Sequence, residues 1–130
     1  MNDRSVSVDQ FAYALEEILQ DAKNDIDNVV AQSAETAARK GKNEVRKNAR
    51  GTFGGTGKYA KSWGFKSGKK GQESFAEIGS TMPGLPHLLE KGHATLGGGR
   101  VPGREHIAPA AEVTFDTFEQ ELKDGIEGAL

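Results

Sequence analysis

PHLLEKGHATLGGGRVPGREHIAP, residues 86–109, is the stretch on which the fold turns. His87–Lys91 reads as a short helix closed by Gly92, because a glycine just past the last helical residue tolerates the left-handed backbone that ends a helix. Gly97–Gly99 follows as the loosest point of the chain. Arg100-Val101 and His106-Ile107 are expected to pair as short strands across Pro102-Gly103. Pro109 suits the first turn of a terminal helix, where its missing N–H costs nothing. That helix would place Ala110, Val113, Phe115, Phe118, Leu122 and Ile126 on its apolar side.

Upstream lies a much longer helical signal. Phe11, Leu15, Ile18, Leu19, Ala22, Ile26, Val29, Val30, Ala34, Ala37 and Ala38 recur at three- and four-residue steps. Ser7 and Gln10 have capping-box spacing, which leaves residues 1–7 as a flexible tail. No proline occurs between there and Pro83, so the helix should run from Val8 to Lys47. At that length it would be about 60 Å long, against a radius of gyration of about 14 Å for a globule of this size. It must protrude or break, and Gly41 is the expected weak point.

Gly51–Gly57 reads as a loop. Lys61, Trp63 and Phe65 alternate, Ser67–Gly71 reads as a turn, and Ser74–Ile78 returns as a second strand, making a hairpin. Trp63, Phe65 and Phe75 are expected to seat this hairpin on the helices. The predicted fold is therefore α+β: long N- and C-terminal helices on a small, mainly antiparallel sheet, with a short helix and a glycine-rich loop, in one domain spanning residues 1–130.

Composition narrows the function. Apolar residues make up 35% of 130, low for a chain that buries its own surface, so completion by a partner is expected. There is no cysteine, which removes disulfides and thiolate metal sites. Neither a signal-peptide core nor a membrane-length apolar run is present, so a soluble protein made inside a cell, with no membrane partner, is expected. The net charge of -2 hides segregation: residues 1–30 carry seven acids and two bases, residues 31–71 eleven bases and two acids, and residues 112–130 six acids and one base. Opposite poles favour head-to-tail pairing between copies, although a solvated charge pattern is the competing reading.

Three chemical readings arise. His87, Glu90 and His93, with His106 as a fourth group, suggest a zinc set, but the metalloprotease spacing is missing and a helix ending at Gly92 leaves His93 outside. The alternative has Glu90 accepting hydrogen bonds at a turn. Gly51–Gly57 lacks the Lys-Ser/Thr pair and preceding strand of a phosphate loop. Arg39, Lys40, Arg46, Lys47, Lys69 and Lys70 form a basic set able to face passing DNA, and the competing readings are a solvated face or ion pairs between subunits. No catalytic residue, metal or cofactor is expected, and the chain does not read as an enzyme.

Two segments resemble the neck, or tail-completion, proteins of tailed bacteriophages. Thr56-Gly57-Lys58-Tyr59-Ala60-Lys61-Ser62-Trp63 is similar to that family's entry into its first strand. Leu88-Leu89-Glu90-Lys91-Gly92, then Gly98-Gly99-Arg100-Val101 and His106-Ile107-Ala108-Pro109-Ala110, are similar to its elbow, variable loop and lead into the last helix, with Arg104-Glu105 standing where proline is frequent. The resemblance implies a structural virion protein, made in the bacterial host cytoplasm and located at the head–tail junction. It would form a homo-oligomeric ring joining the head connector or head-completion protein to the tail terminator or tail tube. Alternatives are a tail terminator ring capping the tube or a DNA-contacting accessory protein. Leu88, Leu89, Glu90, Gly92, His93, Arg100, Arg104 and His106 are the expected assembly residues, and Thr95–Arg104 is expected to order against a neighbour.

Overall fold

The computed structural model describes residues 8–129. The expected tail over residues 1–7 and the capping box that needs Ser7 lie outside them. The element order is α1 (Val8–Phe53), α2 (Lys58–Lys61), β1 (Trp63–Lys70), β2 (Glu73–Ser80), α3 (Leu85–Lys91), β3 (Gly92–Ala94), β4 (Arg100–Pro102) and α4 (Ile107–Ala129). The architecture is α+β, as the periodicities predict.

The first helix is continuous over 46 residues, about 69 Å. It runs unbroken through Gly41, the expected weak point, and past Lys47 to Phe53, correcting the expected end. Gly41 serves a different purpose: a Cβ there would run into the Thr114 hydroxyl and the Ile78 side chain. It lets α1 approach α4 and the hairpin closely, which no local sequence signal distinguishes from a weak point. Val29 meets Gly125 in the same way, and Asn48 Nδ2 donates to the His106 carbonyl at 3.2 Å. These three pairings run in opposite chain directions, so α4 lies antiparallel along α1 from about Val29 to Asn48.

The hairpin packs beside this helix pair. Trp63 pairs with Ser80 and Lys70 with Glu73, leaving Gly71-Gln72 as a two-residue turn. Gly71 has φ 63° and Gln72 does not share a positive φ, the type II′ pattern that matches strand twist. The turn is thus tighter and later than Ser67–Gly71, and both strands are longer than expected. Lys61 belongs to α2 rather than to the strand. Trp63, Phe65 and Ile78 share the face toward α1, whereas Phe75, opposite Gly68, lies on the other face by alternation. Val45, Trp63 and Ala110 form the buried centre, with Tyr59, Ile78 and Ile107 packed around it.

The second strand pair differs from expectation. Gly92–Ala94 pairs with Arg100–Pro102, while His106-Ile107 opens α4. Three-residue strands are too short to show alternation, and His106 is claimed by another interaction described below.

Beyond the end of α4, α1 continues alone. Of the described side chains from Gln10 to Asn28, only Ala14 and Asp27 are even partly covered. Tyr13, Leu15, Ile18, Leu19 and Ile26 are all exposed, Ile18 at 62% and Leu19 at 60%. The long helix protrudes, as its length requires.

Candidate functional site

Two features of the chain invite a functional reading: a polar clasp at the start of α4, and an open apolar surface formed by α1, the hairpin and α4.

The clasp is centred on Glu90, in the last turn of α3. Its Oε1 accepts the backbone N–H of His106 at 2.8 Å and of Ile107 at 2.9 Å, and its Oε2 accepts that of Ala108 at 3.0 Å. Glu90 therefore caps α4 from a distant part of the chain, placing a carboxylate at the positive end of the helix dipole. Burial alone would raise its pKa. The three N–H donors and the adjacent imidazole outweigh that effect and hold it below the ordinary carboxylate value.

His106 is fully buried. Its Nδ1 faces the Arg104 carbonyl and Glu90 Oε1, both at 2.9 Å, and its Nε2 lies 2.6 Å from the Tyr59 hydroxyl. Both neighbours of Nδ1 are acceptors, so Nδ1 carries the proton and Nε2 accepts from Tyr59. Burial raises the pKa of the Tyr59 hydroxyl, which keeps it the donor. Phe53 stacks edge-on against both rings. The clasp thus locks the end of α1, α2, α3 and the start of α4 together.

Glycine and arginine complete it. Gly92 has φ 80°, and a Cβ there would collide with the Val101 carbonyl and the Gly103 nitrogen. A Cβ on Gly103 would in turn strike the Glu90 carbonyl. Two backbone segments cross here at a distance only glycine permits. Arg104 N donates to the Leu89 carbonyl at 2.8 Å, Arg104 Nη1 to Thr52 O at 3.2 Å, and Arg100 Nη2 to Lys91 O at 2.8 Å.

The eight expected assembly residues therefore separate. Leu89, through its carbonyl, and Glu90, Gly92, Arg104 and His106 hold the clasp. Leu88 is 44% exposed, and His93 and Arg100 also reach the surface, on the β3–β4 hairpin. That hairpin closes on itself through Thr95 N to Gly99 O at 2.9 Å, with Leu96 wholly exposed at its tip. The zinc set is dispersed: both Glu90 oxygens are engaged by backbone N–H, His106 is buried against Tyr59, and His87 and His93 are exposed. No cluster of three or more metal-ligating side chains occurs among the described residues.

The basic set also divides. Arg46 Nε donates to Trp63 O at 2.7 Å and tethers β1 to α1. Arg39 and Lys42 sit over the Phe65 ring at 5.5 and 5.6 Å, and Arg39 pairs with Glu35. Lys40 and Lys47, seven residues apart, share a separate exposed face of α1. Lys69 and Lys70 stand at the hairpin tip, Lys70 over Phe75. The glycine segment ends α1 and leads into four-residue α2, with Gly54, Gly55 and Gly57 at positive φ.

The apolar surface is a groove of about 480 Å³, open to solvent. Val30, Ala34 and Ala38 of α1 form its floor, Ser74 and Ala76 one wall, and Phe115 and Phe118 the other. Phe115 is 70% exposed at the lip, contrary to its expected place on the covered side of α4. Sequence reasoning finds the floor from its periodicity. It misses the groove, which exists only because the hairpin and α4 diverge over α1.

An open apolar groove beside a bare apolar helix stripe is the kind of surface through which proteins meet other proteins. The chain belongs to the HK97-gp10-like family, described as "Bacteriophage HK97-gp10, putative tail-component", whose profile matches residues 9–92. The match covers α1, the hairpin and Glu90 of the clasp, and stops before β4 and α4. No curated protein and no solved structure matches the chain. No described helix is long and apolar enough to cross a membrane.

Proposed function

We propose that this protein is a structural virion component that assembles as a ring at the head–tail junction, joining the head connector to the tail tube. The observation that carries the reading is the bare half of α1. A helix with Leu15, Ile18, Leu19 and Ile26 exposed on one stripe is stable in water chiefly when something covers that stripe. Membership in a phage tail-component family supports virion proteins as the cover. The Glu90–His106 clasp supplies a rigid elbow from which Leu88, His93, Arg100 and the Leu96 tip meet neighbours above or below. Lys40 and Lys47 supply positive charge that a channel carrying DNA would use. The protein performs no catalysis and needs no cofactor in this role.

Electron microscopy of particles assembled without the protein tests the proposal. Filled heads separate from finished tails are expected. Intact virions would reject a joining role, and tails of runaway length would assign the protein to capping the tube instead.

A further inference from the structure

We infer that the protruding half of α1 in one copy docks into the apolar groove of a second copy. The inference deepens the ring reading above by naming the two surfaces that meet.

Three observations converge. First, dimensions agree. The floor from Val30 to Ala38 is about 12 Å long, and the stripe from Leu15 to Ile26 is about 17 Å, so the floor takes about two of the stripe's three turns. Second, both surfaces lack a partner within the chain. The stripe ends one turn before Val30, where the groove opens, and a straight helix cannot fold back onto its own continuation.

Third, charge is complementary along one edge. At 100° per residue, Asp21 and Asp25 lie along one edge of the stripe, and Glu16, Lys23 and Asp27 along the other. Neither aspartate has an ion-pair partner among the described residues, whereas Lys23 reaches Asp27 at 2.7 Å. The groove has matching lips. Lys69 stands across from Ser74 on the hairpin wall, next to Lys70. Glu112 and Glu119 lie three and four residues from Phe115 on the α4 wall, neighbours of it on the helix surface. Seated with Asp21 and Asp25 toward the lysine lip, the helix sets its purely acidic edge against the basic side of the groove. The reversed orientation would set Asp21 and Asp25 against Glu112 and Glu119, so the lips favour one direction. Because arm and groove are different surfaces, the contact is heterologous and propagates into a closed ring or a filament.

Cysteine scanning of the full chain tests this, since the sequence holds no native cysteine. One preparation carries Phe115→Cys, and a second carries a single cysteine placed in turn at positions 15, 18, 19, 20, 22, 24 and 26. Mixing and oxidising them reports contact between copies only. Disulfides to position 115 are expected from some of Leu15, Ile18, Leu19, Ala22 and Ile26, and not from Gln20 or Asn24 on the opposite face. A scan in which no arm position links, or in which arm cysteines of the second preparation link to one another instead, overturns the docking.

Charge reversal supplies an independent readout. Asp21→Lys with Asp25→Lys should weaken self-association about tenfold, and adding Lys69→Glu with Lys70→Glu should restore it. Failure of rescue overturns the assigned direction. Crosslinking in solution together with virions that join without the protein would leave the docking standing and remove only the junction role. A required junction role without crosslinks would do the reverse.

Discussion

The two halves of α1 carry the same apolar periodicity and meet opposite fates. From Gly41 to Ala49 the stripe is buried beneath α4 and the hairpin, with Val45 and Ala49 almost wholly enclosed. From Gln10 to Asn28 an equally regular stripe faces solvent. Composition helps to explain the divide. The packed half uses Ala37, Ala38, Gly41 and Ala49, small residues that let elements approach closely, while the bare half presents Leu15, Ile18, Leu19 and Ile26. Small residues suit a contact already made within the chain. Large ones suit pockets supplied from elsewhere.

Substitutions sharpen this contrast. The greatest loss is expected at the clasp that anchors the packed half: His106→Ala removes a fully buried ring and leaves Tyr59 and Arg104 O without their partner. It should lower unfolding free energy by about 3–5 kcal/mol in denaturant titrations of dilute protein. Gly41→Ala comes next. The clash with Thr114 and Ile78 should cost about 1–3 kcal/mol, exceeding the gain of about 1 kcal/mol in helix propensity. A stabilised variant would show that the close approach is not required.

Glu90→Gln keeps the shape and removes the charge, with an expected loss of about 1–2 kcal/mol near neutral pH. Its pH dependence follows from the lowered pKa of Glu90 in the folded chain. A carboxyl depressed on folding contributes stability above its unfolded pKa and loses it as pH falls through the folded value. The gap between wild type and Glu90→Gln should therefore close on acidification through the carboxylate range. A gap independent of pH would mean that the charge does not hold the helix end.

The smallest effect on folding is expected in the bare half. Ile18→Asp and Leu19→Asp should change the stability of dilute protein by less than about 0.5 kcal/mol. The same variants should abolish self-association in sedimentation experiments. Losses as large as those at His106 would mean that the chain already covers this stripe itself.

Much of this was readable in the residues. The helical stripes, the glycine after Lys91, the proline near the start of α4 and the hairpin strands all follow local periodicity or backbone chemistry. What escaped depended on distance in sequence. The Glu90 cap joins groups sixteen to eighteen residues apart, and nothing around His106 marks its backbone as the recipient. Gly41 looks identical in sequence whether it weakens a helix or admits a neighbour. Phe75 changes faces because the turn falls at Gly71-Gln72, which shifts the register on which a period-two reading depends.

The central claim is that the bare half of α1 is covered by another copy, and hydrogen exchange followed against protein concentration tests it most directly. Amides between Ala12 and Ile26 should gain protection as concentration rises, while those between Ser33 and Ala49 remain equally protected throughout. Protection of the first set that stays constant from the most dilute to the most concentrated sample would contradict the account.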